Sequence, residues 1–153
     1  MTRVPDIEHI VYIHASPEWV YKILTTGAGW DAWFTQGTTV DPGPGGQIRL
    51  RWQNFGAGHW TMEDGGPVLE AVPNRKFVFQ WSPASTPTTV TITLEQQGPG
   101  TLVRLIESGY KLTDSDLAAL VNCATGWGEA LTLLKFYLEH GLTYGEVPLR
   151  EAF

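Results

Sequence analysis

The sequence predicts an α+β fold, with an antiparallel sheet of six to seven strands curled around a long C-terminal helix and two short helices after the first strand. Two observations lead there. Between Thr113 and Gly141, Leu117, Leu120, Ala124, Trp127, Leu131, Leu134 and Leu138 follow one another at alternating steps of three and four, which keeps one apolar stripe on a helix. Between Thr38 and Tyr110 the period drops to two, in short segments separated by Gly- and Pro-rich turns. Strands joined this way run antiparallel and need one face covered, and the long helix is the expected cover. The 153 residues, 42% of them hydrophobic, suit a single domain over 1–153.

Each element has its own local signal. Ile7 to His14 alternates as a first strand, and Ser16-Pro17-Glu18 then starts a helix with a hydroxyl cap, a proline at the first position and an acid near the positive end. Val20, Ile23 and Leu24 form its buried face, and Gly27 and Gly29 are expected to end it. Trp30 to Phe34 is too aromatic for a free loop and is expected as the second short helix. Thr38 to Asp41 and Gln47 to Gln53 are strands either side of the turn at 42–46, the latter with Ile48, Leu50 and Trp52 inward. His59 to Val72 is expected as an interrupted strand, broken or bulged at Gly65-Gly66. Lys76 to Trp81 places Phe77, Phe79 and Trp81 on one face, Thr88 to Gln97 places Val90, Ile92 and Leu94 together, and Thr101 to Tyr110 is the last strand. The long helix has Thr113 as N-cap, two acids in its first turn and Gly141 as C-cap, and at 1.5 Å per residue it spans roughly 40 Å.

Composition narrows the function classes. A net charge of −6 with ten scattered Lys and Arg argues against a nucleic-acid face. Arg49 and Arg51 share one side of a strand and read as solvated charge. Neither a signal-peptide core nor a run of roughly 18 apolar residues is visible, so a cytoplasmic protein without a membrane segment is expected. The single Cys123 cannot form an internal disulfide and reads as an inert thiol on the apolar side of the helix. His9, His14, His59 and His140 lack ligand spacing, so neither a metal nor another cofactor is expected. GxSxG, GxGxxG and P-loop patterns are absent, and no catalytic motif stands out.

Order and spacing of several motifs resemble the START-like helix-grip (SRPBCC) superfamily, in the branch homologous to the C-terminal domain of the activator of heat-shock protein 90 ATPase. The resemblance rests on Ala15-Ser16-Pro17-Glu18 with Val20 and Leu24, Trp33, Gly45-Gly46, Val68-Leu69-Glu70 before Pro73, Phe79-Gln80-Trp81, Gly100-Thr101-Leu102-Val103, Ser108-Gly109 and Gly126-Trp127. It covers nearly the whole chain, and it implies a cavity between sheet and helix that many relatives use for lipids, polyketides or other hydrophobic molecules. The chain opens directly on the first strand where the eukaryotic activator carries a further N-terminal domain, and it has Glu107 where many relatives have His.

The expected ligand-binding set is Trp52, Phe79, Trp81, Glu107, Leu120, Cys123 and Trp127. The aromatic members lie on inward faces, where they either fill a core or line an apolar pocket. Gly126 and Gly128 leave gaps beside Trp127. Glu107 continues the inward face of Val103 and Leu105, and the alternatives are a cavity position matched to a donor or exposure at the strand end. The resulting reading is a non-catalytic module for a small hydrophobic or aromatic ligand. The alternatives are a cyclase or hydrolase acting on polyketide-like substrates through Glu107, or a protein-interaction domain that engages a chaperone. Phe136, opposite the apolar seam, is expected at the surface, where it would support a weak homodimer.

Overall fold

A computed structural model describes residues 3–143, so the ends of the expected 1–153 domain lie outside the described residues. The elements are β1 (Ile7–Ile13), α1 (Pro17–Leu24), α2 (Gly27–Trp33), β2 (Thr39–Val40), β3 (Gln47–Phe55), β4 (Trp60–Val72), β5 (Lys76–Trp81), β6 (Thr88–Gln97), β7 (Gly100–Ser108) and α3 (Asp114–His140). The seven strands form one antiparallel sheet in the order β1-β7-β6-β5-β4-β3-β2, so consecutive strands pair as a meander and β1 closes onto the last strand. With α1 and α2 after the first strand and α3 at the C-terminus, this is the α+β helix-grip architecture.

Short-range chemistry sets the helix ends. Ser16 Oγ accepts from the N–H of Trp19, and Thr113 Oγ1 accepts from that of Asp116 at 3.2 Å, each relieving an orphan donor of a first turn. Gly141 ends α3 in the left-handed region at φ 69°, where a side chain would be strained. The α1–α2 boundary departs from expectation. α1 stops at Leu24, and Thr26 caps a new helix that begins on Gly27, so the glycines lie inside α2 and do not terminate α1. Packing explains them, because a Cβ on Gly27 would stand 2.1 Å from the carbonyl oxygen of Thr38, and one on Gly29 2.1 Å from that of Ile23.

The same reason removes the expected break in β4. This strand runs through Gly65-Gly66, pairing with β3 up to Pro67 and with β5 from Val68, and the bulge lies between Val68 and Glu70. A Cβ on Gly65 would meet the Ile48 carbonyl oxygen at 2.0 Å, and one on Gly66 would meet that of Gln80 at 2.5 Å. Glycine here lets the neighbouring strands close in where the sheet changes partner.

α3 does not cover the sheet alone. It lies mainly against β1, tied there by His9 Nε2 and the Ala124 carbonyl at 2.8 Å, by the His14 N–H donating to Glu139 at 2.9 Å, and by Lys135 donating to the Tyr12 carbonyl. Its apolar side chains are sealed only in the second half, at Trp127, Ala130, Leu131 and Leu134, whereas Leu117, Leu120 and Ala124 are half-buried. The rest of the core is supplied by Val20, Ile23 and Leu24 of α1 and by Trp30 and Trp33 of α2. By length and averaged hydropathy α3 would be apolar enough to cross a bilayer, which a search for uninterrupted apolar runs does not reveal. Phe136 is exposed, as expected, with its ring 6.0 Å from that of His140.

Asp116 anchors the start of α3. One carboxylate oxygen accepts from the backbone N–H of Lys111 at 2.8 Å and the other from that of Ser85 at 3.1 Å. These two donors hold the carboxyl below its ordinary 3.8, Lys111 contributing most. A depressed folded value means that ionised Asp116 stabilises the fold above 3.8 and that this contribution fades as the pH falls through the folded value. Asp116→Asn keeps one acceptor and turns an NH2 towards the other N–H. Its urea midpoint should fall below that of the wild type at neutral pH, with the gap narrowing in acid. A gap of constant size down to acid unfolding would refute the anchor.

Candidate functional site

The site begins with Glu107. Alternation along β7 turns Val103, Leu105 and Glu107 to the same side, and all three are fully buried. Strand-end exposure, the alternative open from the sequence, is therefore overturned. Burying a carboxylate without partners is costly, and here three donors converge on it from three other elements. Trp81 Nε1 at the end of β5 donates to Oε2 at 2.7 Å, Thr88 Oγ1 at the start of β6 donates to the same oxygen at 2.5 Å, and Trp127 Nε1 of α3 donates to Oε1 at 3.0 Å. Pairing of Trp81 with Thr88 and of Val90 with Glu107 brings the strand residues together. The carboxylate thus fixes two indoles whose rings stand 5.4 Å apart.

Those indoles wall a cleft of about 490 Å³ between α3 and the sheet, which Trp52, Trp60, Met62 and Phe34 extend. Of the seven residues expected at a site, Trp52, Trp81, Cys123 and Trp127 are on this wall. Glu107 is behind it, fully buried under the indoles. Phe79 is also fully buried, with the Trp30 ring edge-on at 6.5 Å, and Leu120 is half-buried and off the wall. The expected set left out Phe34, Phe55, Trp60, Met62, Asp64, Pro83, Asn122 and Glu129, and Gly126 entered the sequence reading only as a gap beside Trp127. The aromatic density of 30–34 and the Gly126-Trp127 pair were the available signals for Phe34 and Gly126; Trp60 and Met62 gave none.

A chain of rings runs through the site. Trp30, Trp33, Phe34, Trp52, Trp81 and Trp127 follow one another at centroid distances of 5.0, 5.2, 5.5, 6.5 and 5.4 Å. Trp60 joins from the side, 6.0 Å from Trp52. Such contacts make the wall stiff as well as apolar.

Two polar groups sit near Glu107. Burial, then the neighbouring Cys123 thiol and Glu107 carboxylate, push the Tyr110 hydroxyl far above its usual range. Burial also raises the Cys123 thiol to about 11, so it stays protonated at neutral pH and is a poor nucleophile. Among the described residues no group of three or more His, Cys, Asp or Glu side chains is arranged to hold a metal ion. A second cleft, of about 600 Å³, adjoins the first along Phe34, Trp52 and Phe55 and is lined by polar side chains.

The sequence model of the family described as Activator of Hsp90 ATPase homolog 1-like protein matches residues 14–139. Among solved structures, the Aha1 dimer from Colwellia psychrerythraea is 28% identical, with a TM-score of 0.73 over 90% of this chain and 98% of that one. A protein from Rhodobacter sphaeroides is 26% identical, with a TM-score of 0.71 over 87% of this chain and 91% of that one. CalU16 from Micromonospora echinospora is 21% identical, with a TM-score of 0.69 over 89% and 77%, a likeness of fold alone. No curated protein matches the chain.

Proposed function

Because the chain belongs to the Activator of Hsp90 ATPase homolog 1-like family, we propose that it works as the ligand-binding domains of this fold do, as a non-catalytic module that holds a small hydrophobic or aromatic molecule in the cleft between α3 and the sheet. Trp81, Trp127 and Trp52 would supply flat apolar contact, and Cys123 would close one side as a neutral thiol. Glu107 acts through the indoles as a positioning residue, since the rings separate it from the cleft. That separation also speaks against a reaction in which Glu107 gives or takes a proton.

Gly126 carries the reading. It lies in the interior of α3, where glycine costs about 1 kcal/mol relative to Ala. Packing does not demand it, because a Cβ there would meet no atom within 4 Å, whereas one on Gly128 would touch the His9 ring at 3.4 Å. What Gly126 does is keep the cleft open on its helix side. Gly126→Leu should therefore fold at least as stably as the wild type, by urea unfolding, and lose binding of the neutral probe N-phenylnaphthylamine. Undiminished probe binding by a folded Gly126→Leu variant would remove the cleft as the site.

The homodimer expected from Phe136 is retained as part of this proposal. It draws support from the exposure of that ring and from the description of the Colwellia psychrerythraea protein as a dimer.

A further inference from the structure

We propose that the molecule held in the cleft under α3 is a cation, an aromatic amine whose ring lies against the indoles and whose ammonium group answers the carboxylates around them. This rests on that cleft being the binding site and names the class of ligand that enters it. The first sign is Glu107. Its three partners, Trp81, Thr88 and Trp127, are neutral donors, and no ion pair among the described residues includes it. The hydrogen bonds satisfy its oxygens and leave its charge without a counterion. That charge lies fully buried behind the two indoles, where it is screened far less than in water. A positive group in front of the same indoles supplies the missing countercharge.

The indoles add to this attraction. An aromatic face carries partial negative charge, and indole binds cations best among the aromatic side chains. Both N–H groups are turned to Glu107, so what Trp81 and Trp127 present to the cleft is carbon. Donating to a carboxylate also polarises each ring, which becomes richer in electrons and a better partner for a cation.

The rim has the same sign. Asp64 lines the cleft from β4 and Glu129 from α3, and Asp31 lines the adjoining polar cleft. Among the described residues no Lys or Arg lines either cleft, and His59 is the one basic side chain there. Elsewhere the protein sets base against acid, Arg49 and Arg51 against Glu63, Lys76 against Glu70, and Lys135 against Glu139. The partners of Asp31 and Asp64 are backbone N–H groups and one hydroxyl, all neutral, and the Glu129 carboxylate makes no hydrogen bond or ion pair among the described residues. The Cys123 thiol on the wall registers this field: burial raises it most, and the Glu107 and Asp64 charges raise it further. An anion entering here meets carboxylates and no countercharge, in a protein of net charge −6. A neutral molecule gains nothing from them.

Naphthylmethylamine, naphthylmethanol and naphthoate test the proposal by isothermal titration at neutral pH, since they share the ring system and differ in the charge beside it. The wild type should bind the amine about tenfold more tightly than the alcohol, and naphthoate more weakly than either. Glu129 is exposed, so Glu129→Lys should keep the fold and bring the amine and the alcohol to within about threefold of each other. Glu107→Gln, read on the folded variant, should lower the same ratio, in which a loss of wall shape common to both compounds cancels. Gly126→Leu, which fills the cleft, should abolish binding of both. If the alcohol binds as tightly as the amine, or if both charge variants keep the preference, the cation is refuted and the cleft stands. Undiminished amine binding by folded Gly126→Leu would put the amine elsewhere on an acidic surface and refute it equally. If neither amine nor alcohol binds the wild type, both readings fall.

Discussion

Glu107→Gln is expected to lower stability by about 2–4 kcal/mol, although it preserves the shape of the side chain. Every partner of the carboxylate is a donor: Trp81 and Thr88 on one oxygen, Trp127 on the other. An amide offers one acceptor and one NH2, so in either orientation an N–H must face an indole N–H. With the nitrogen towards Trp127 one hydrogen bond becomes a repulsion. With it towards Trp81 the same happens there, and the Thr88 hydroxyl must rotate to accept. Probe affinity should fall together with stability, since the indoles lose their fixed angle. Urea unfolding and titration with N-phenylnaphthylamine measure both, and a variant as stable as the wild type would show that the carboxylate is not the clamp described.

Trp127→Ala is expected to cost about 3–4 kcal/mol and to abolish probe binding. Truncation of a large aromatic in a sealed core costs about 3–5 kcal/mol. Trp127 is 3% exposed but borders the cleft, so part of its surface has no packing to lose. Against that, truncation strips Glu107 Oε1 of its one donor. Trp127→Phe separates the two effects, keeping a ring on the wall while removing the N–H. If Trp127→Ala loses stability but binds the probe unchanged, the wall is elsewhere.

Local patterns carried the fold into the sequence. Alternation along β3 correctly turns Ile48, Leu50 and Trp52 inward, because a strand exposes its two faces to different media over a few residues. The caps of α1 and α3 are equally short-ranged and equally readable. Gly27, Gly29, Gly65 and Gly66 misled as terminators and breaks because their reason is a carbonyl from another segment, which neighbouring residues do not announce. The site was partly readable for the same cause. Parity along β5 places Trp81 inward, but it places Phe79 inward too, and only the arrival of Trp30 from α2 decides that one fills core while the other meets open space. Glu107 had no visible match because its donors lie 26, 19 and 20 residues away, on three different elements.

The procession of indoles from Trp30 to Trp127 has an optical consequence. Transition dipoles of tryptophans separated by 5.0 to 6.5 Å, as at Trp30–Trp33, Trp52–Trp81 and Trp81–Trp127, do not absorb independently. Their excited states mix, and the far-ultraviolet circular dichroism gains exciton bands of both signs on top of the peptide signal. A helix content read from that spectrum would be wrong for this protein. Excitation absorbed at one indole would also migrate along the row before it is emitted, so the emission reports the lowest-energy ring of the series, whichever ring received the photon.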